Sequence, residues 1–263
     1  MKTSFLYILF FFISVNSAQT SKISANQINS VAFEADYFAG FDGFENYFYV
    51  KNNILFKKQT SNTLQYQNLS LGKLTKVDIT NPLKIVLFYE EFNSVIIVDN
   101  QLNEIQKIDF SSNDVPIVAS AIGISGQNQL WVYNSLNQQI GLYDLTTSFY
   151  KNLGVPIKET FSYYQTDFNY FHWIDKQNQW MSCTIFGRVF SNGKIDLYDQ
   201  IQIIENNKLL YLKDNQLYLK DILKDTLFEI EIVEKTFANF YYKDQILSIF
   251  TNKGISNYKI TIP

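Results

Sequence analysis

The stretch Val95–Phe110 constrains the fold most. Val95–Val98 is a run of β-branched residues, and Asp99-Asn100-Gln101 makes a polar tip. Leu102, Ile105, Ile108 and Phe110 are spaced along the segment after the tip. β-Branched residues suit a pleated strand, and Asp and Asn tolerate turn geometry, so the stretch reads as a β-hairpin.

The same pattern recurs along the chain. Tyr47–Val50 and Ile54–Phe56 flank Asn52-Asn53, and Leu130–Tyr133 and Ile140–Tyr143 flank Asn134–Asn137. Trp180–Phe186 and Val189-Phe190 flank Gly187, and Leu209–Leu212 and Leu217–Leu219 flank Asp214-Asn215. Ile246–Phe250 and Ile255–Ile260 flank Asn252–Gly254. From Asn53 to Gly254 the tips fall about 40 residues apart on average, the period of a four-stranded propeller blade, with individual intervals from about 28 to about 51. Strand-like runs such as Leu83–Tyr89, Ile117–Ile124 and Phe161–Trp173 lie between the hairpins and give each one material for a blade. Many runs are continuously apolar, as strands covered on both faces are. The fold expected is all-β, a single six-bladed β-propeller, with seven blades as the alternative count. A β-sandwich or a solenoid is the rival architecture. Val31–Phe38 is placed to supply the missing outer strand of the last blade and close the ring.

Met1–Ala18 has the make-up of a signal peptide. Lys2 precedes the apolar run Phe5–Val15, which is too short to span a bilayer, and small residues follow, with cleavage after Ser17 or Ala18. Residues 19–30 are polar and read as a loose lead-in, and residues 31–263 as the propeller. The mature chain is expected outside the cytoplasm, without a transmembrane segment of its own.

Composition removes several chemistries. A net charge of −3 with 18% charged residues leaves no basic stripe for nucleic acid. One cysteine, Cys183, and one histidine, His172, allow neither an intrachain disulfide nor a Cys/His metal cluster. A Ser–His–Asp triad would need His172. Asp167 lies five residues before it, an odd separation that puts the two on opposite faces of a continuous strand. Glu90-Glu91 point apart as neighbours and read as a solvated turn. Asp109 and Asp114 lack the spacing and glycine of an EF-hand. Gly40-x-x-Gly43 and Gly123-x-x-Gly126 are not phosphate loops. No catalytic, cofactor-binding or metal residue is assigned, and no cofactor is implied.

Aromatics make up 17% of the chain, but Phe and Tyr far outnumber Trp, as a bias toward Asn, Lys, Ile, Phe and Tyr produces. Abundance alone therefore marks no surface. The densest cluster contains Tyr163, Tyr164, Phe168, Tyr170, Phe171 and Trp173. Tyr163, Tyr164, Tyr170 and Trp173 are the candidate partner-binding residues, because rigid amphipathic rings make good anchors. The competing reading, favoured because both strand faces are aromatic, is that they fill a blade interface.

The segments NYFYVKNNILFKK, NPLKIVLFYEEFNSVIIVDNQLNEIQKIDF, QLWVYNSLNQQIGLYDL and FYYKDQILSIFTNKGISNYKITIP resemble a family of secreted β-propeller-like proteins of flavobacteria and other Bacteroidota. The resemblance covers essentially the whole mature chain. It rests on core strands and not on a catalytic motif, so it carries over no functional residue. It implies export to the periplasm and, one step further, similarity to the periplasmic component that caps the translocon barrel of type IX secretion. The function expected is a non-catalytic protein-interaction module docking on an outer-membrane barrel or its complex. The alternative is a propeller that binds a small ligand or glycan, or hydrolyses an ester, at its central funnel.

Overall fold

In the computed structural model, residues 21–158, 160–205, 207–234 and 238–263 are described, and the expected signal peptide lies outside them. Six antiparallel sheets follow one another along the chain. Blade 1 is built from Tyr37–Phe41, Tyr47–Lys51, Ile54–Lys58 and Thr63–Tyr66. Blade 2 comprises Lys76–Asp78, Ile85–Tyr89, Ser94–Val98 and Glu104–Asp109, and blade 3 Ala119–Ser125, Gln129–Asn134, Gln139–Asp144 and Tyr150–Leu153. Blade 4 comprises Phe161–Thr166, Tyr170–Asp175, Gln179–Thr184 and Val189–Lys194, and blade 5 Gln200–Glu205, Lys208–Lys213, Gln216–Asp221 and Thr226–Glu231. Blade 6 takes Asn239–Lys243, Ile246–Thr251 and Gly254–Lys259 from the end of the chain. The fold is a six-bladed β-propeller, so the seven-blade alternative is set aside.

The ring closes through the amino-terminal segment, one step earlier than expected. Asn26–Val31 pairs antiparallel with Gly254–Lys259 as the fourth strand of blade 6. Tyr37–Phe41, which overlaps the segment proposed for closure, is instead the innermost strand of blade 1. The polar stretch read as a loose lead-in therefore carries structure, and Ser21–Ser24 adds a parallel fifth strand outside blade 5. A buried polar latch fixes the closing strand. Asn257 Nδ2 donates to Asn29 Oδ1 (2.7 Å) and to the Tyr47 hydroxyl (2.9 Å), and the Ser248 hydroxyl donates to Asn257 Oδ1.

The core is a ring of six clusters, each between neighbouring blades. Trp131 packs with Phe171 between blades 3 and 4, and Trp180 with Ile203 and Leu209 between blades 4 and 5. Fully burying a large side chain of this kind contributes on the order of 2–3 kcal/mol, so every blade depends on both neighbours. This two-sided cover is why the strands read as continuous apolar runs.

The corner between second and third strands repeats most regularly. A residue with positive φ leads into each third strand: Asn53, Asn93, Gln138, Asn178 and Asn215 just before it, and Gly254 as its first residue. Asn, like Gly, enters the left-handed region at low cost. Measured between these corners, the repeat is about 37 to 45 residues. The wider spread in the sequence has a simple cause. The hairpins at Val95 and Trp180 join third and fourth strands, whereas the other four join second and third.

Candidate functional site

The innermost strands of blades 1, 2, 4, 5 and 6 line an axial funnel of about 590 Å³ that opens at the end where those strands begin. Polar clips tie the wall from blade to blade. Ile124 N–H donates to Asp78 Oδ2 (2.8 Å) between blades 2 and 3, and Ile122 N–H to the Tyr164 hydroxyl (3.3 Å) between blades 3 and 4. Gln202 bridges blades 5 and 6, donating to the Tyr242 carbonyl (2.8 Å) and accepting the Tyr242 N–H (2.7 Å). Asn239 Nδ2 donates to the Phe38 carbonyl (3.1 Å) between blades 6 and 1. Gly123 has a structural reason here, because any side chain would collide with Thr166 and Asp78 on the wall.

Tyr37, Tyr163, Tyr164, Tyr198 and Tyr241 line the funnel. Burial raises the hydroxyl pKa of all five, so they stay protonated. The Tyr163 hydroxyl donates to Gln165 (2.7 Å), and the Tyr198 hydroxyl shares a hydrogen bond with Ser162 (3.1 Å). Lys76, the first residue of the innermost strand of blade 2, is half-buried with its Nζ 3.5 Å from the centre of the Tyr164 ring. Burial lowers its amine to about 8, against the opposing pull of Asp78.

The four aromatic candidates do not form one platform. Tyr163 and Tyr164 face the funnel, where Tyr164 also stacks on Phe171 at 5.7 Å. Tyr170 is half-buried and stacks on His172 at 5.4 Å. Trp173 is 3% exposed and belongs to the core between blades 3 and 4, so it is corrected from a partner contact to a packing residue. Sequence reasoning missed Lys76, Tyr37 and Tyr241, which come from three blades and share no local motif.

Asp167 and His172 also require correction. His172 Nε2 lies 3.4 Å from Asp167 Oδ2, because Asp167 sits in the turn before Tyr170–Asp175 and not in a continuous strand. His172 Nδ1 in turn meets Ser182 Oγ at 2.7 Å. The row Asp167–His172–Ser182 resembles a catalytic relay in composition, but Ser182 is 0% exposed and accepts Asn192 Nδ2. A nucleophile must reach its substrate, so this arrangement stiffens blade 4.

Exposed apolar side chains stand at both ends of the ring, Leu69, Phe92, Leu136 and Leu197 among those at the mouth end, but most of the exposed phenylalanines are at the opposite end. Antiparallel order places first-to-second and third-to-fourth connections at one end of each sheet. Phe44, Leu83 and Phe168 occupy the former, and Phe149, Phe186 and Leu223 the latter. Phe44 is 81% exposed and Phe186 86%. Side chains clamp these turns: Asp42 Oδ1 accepts the N–H groups of Phe44 and Asn46, and Asp167 Oδ1 those of Asn169 and Tyr170. Thr184 Oγ1 accepts from Phe186 N–H, and Asn81 Oδ1 from Leu83 N–H.

Neither a protein-family model nor a curated protein matches the sequence. Solved structures do match, and they are propellers. One is the BBS1 amino-terminal domain in complex with ARL6, at TM-score 0.59 and 10% identity, covering 93% of this chain and 98% of that one. Virginiamycin B lyase from Staphylococcus aureus matches at TM-score 0.57 and 12% identity, over 85% of this chain and 79% of the lyase. A streptogramin B lyase matches at 0.54 and 13%, over 84% and 77%. The likeness is one of fold. Among the described residues no helix is long and apolar enough to cross a membrane.

Proposed function

We propose that the protein is an exported interaction module that docks on a partner protein of the cell envelope. The observation that supports this reading is that four exposed phenylalanines, Phe44, Phe149, Phe168 and Phe186, stand at the end opposite the funnel mouth, against Phe92 alone at the mouth end among the described residues. Exposed apolar clusters mark contact sites, and rigid loops lose little conformational freedom on binding. Hydrogen-bonded turns hold Phe44, Leu83, Phe168 and Phe186 in place before any partner arrives.

The finer reading is a periplasmic protein on an outer-membrane barrel or its complex, with the pore of the type IX translocon as the particular surface it would cap. The test is co-purification from gently solubilised envelopes, using a carboxyl-terminal tag. A stoichiometric outer-membrane barrel that is lost with Phe44→Asp plus Phe186→Asp, and kept with Leu69→Asp plus Leu197→Asp at the opposite end, is the expected result. A monomer without a partner overturns the docking role. A partner other than a translocon barrel, or a deletion strain whose envelope leaks no more than its parent, overturns the capping role.

A further inference from the structure

The funnel holds an imbalance between donors and acceptors. Its buried carboxylate is already occupied, and each rim carboxylate accepts one backbone N–H. Asp78 is buried, its Oδ1 accepting Thr80 N–H (2.8 Å) and its Oδ2 Ile124 N–H (2.8 Å) and the Thr166 hydroxyl (3.4 Å). Asp36 Oδ2 accepts Asn52 N–H (2.7 Å), and Asp199 Oδ2 accepts Asp214 N–H (3.1 Å), both at the exposed rim. Gln165 and Gln202 are spent on the neighbouring blades.

What is left over donates. The Lys76 ammonium forms no ion pair or hydrogen bond with a described residue, and it stands over the face of Tyr164. The hydroxyls of Tyr37 and Tyr241, on blades 1 and 6, have no hydrogen-bond partner among the described residues either, and both rings face the same space. Tyr37 is 45% exposed although it stands inside the ring, so its open surface is funnel surface. A cation and two phenols aimed into an aromatic chamber call for an acceptor. The chamber is wide enough for a ring-sized body beside it.

We propose that the funnel is a binding site for a small aromatic or apolar carboxylic acid, its carboxylate held by Lys76, Tyr37 and Tyr241 and its body by the tyrosine walls. A carboxylate beside Lys76 adds a direct ion pair to the attraction that Asp78 exerts from the same strand. The charged groups that share the funnel with Lys76 are Asp78 on its own strand and, at the rim, Asp36 and Asp199. Binding therefore favours the ammonium, and affinity falls as pH rises through the pKa of Lys76. The inference is independent of the docking role, since the funnel opens at the opposite end from the phenylalanine tips.

The probes are sodium benzoate and its uncharged isostere benzamide, titrated into the full chain. The readout is the 13Cε resonance of Lys76, assigned by its loss in Lys76→Arg. Benzoate is expected to saturate, to raise the titration midpoint of Lys76 by about one unit, and to bind about tenfold more weakly at pH 9.5 than at pH 7. Benzamide is expected to bind at least about tenfold more weakly than benzoate at pH 7. Lys76→Met should erase that preference, and Tyr37→Phe should weaken benzoate a few-fold, each with an unchanged melting temperature. Equal affinity for the two probes, or benzoate affinity that is the same in Lys76→Met, overturns the proposal. So does the absence of benzoate binding at about 20 mM, which corresponds to an affinity too weak for a built site.

Discussion

Gln165 and Ile203 exchange two hydrogen bonds across the gap between blades 4 and 5. Gln165 Nε2 donates to the Ile203 carbonyl (2.6 Å), and Ile203 N–H donates to Gln165 Oε1 (2.9 Å). The side-chain amide thus takes the place of a neighbouring strand for an innermost strand that has none on that side. Gln165→Leu would leave both Ile203 groups unpaired in a half-buried site. The expected loss is about 1–3 kcal/mol, read as a fall in melting temperature or in the denaturant midpoint. Gln165→Glu should lose about as much, because a carboxylate cannot donate to the carbonyl.

The latch around Asn257 should matter more, since it joins the last strand to the first. Asn257→Ala removes the partner of Ser248, Asn29 and Tyr47 together. A buried network broken at its centre is expected to cost about 2–4 kcal/mol. Limited proteolysis should then cut between residues 24 and 36 before it cuts elsewhere. Resistance of that segment in the variant would mean that backbone pairing alone holds the ring closed.

Gly40 carries the Tyr241 side of the funnel. It has a φ of +129°, and a Cβ there would stand 2.7 Å from the Tyr241 ring. Gly40→Ala is expected to cost about 1–3 kcal/mol through strain and collision together. Combining it with Tyr241→Ala should recover the collision part and leave the strain, and a double-mutant cycle separates the two.

Much of this was legible in the chain. The all-β class, the six blades and the two-sided burial follow from the hairpin pattern and the unbroken apolar runs. Blade phase was not, because Val95–Phe110 and Trp180–Phe190 look like the other hairpins but join a different pair of strands. The closing strand NQINSV escaped because its residues face solvent and lack apolar alternation. Asp167 and His172 count onto opposite faces only if the turn between them is taken as strand. The funnel escaped because Lys76, Tyr37 and Tyr241 meet only once the ring is closed.

Acid should act partly through Asp167. Burial pushes its carboxyl up, but His172 and the N–H groups of Asn169 and Tyr170 outweigh that and hold it below the ordinary 3.8. A carboxylate depressed in the folded state stabilises the fold above its unfolded pKa, and that stability is lost as pH falls through the folded value. The expectation is that Asp167→Asn is less stable than the parent at pH 7 and flattens the stability profile below about pH 4. Parallel profiles for the two proteins would show that Asp167 is equally ionised in both states.

Cys183 offers a clock for the opening of blade 4. The thiol is 0% exposed, and burial pushes it up to about 11. The thiolate is the reactive form, so labelling by a small alkylating reagent should be negligible until the blade opens. The labelling rate should rise in the Gln165 variants.

The strand that closes the ring is made early and paired last. Asn29 and its partner Asn257 stand 228 residues apart. At ordinary synthesis rates of about 5–20 residues per second, the closing strand waits roughly 10–45 s for its neighbour to exist. An unpaired apolar strand held that long would be an aggregation hazard, and polar residues are the usual protection. The plainness of Asn26–Val31 is then a requirement of order in time: a strand whose partner is the last to be made is one that water can keep company.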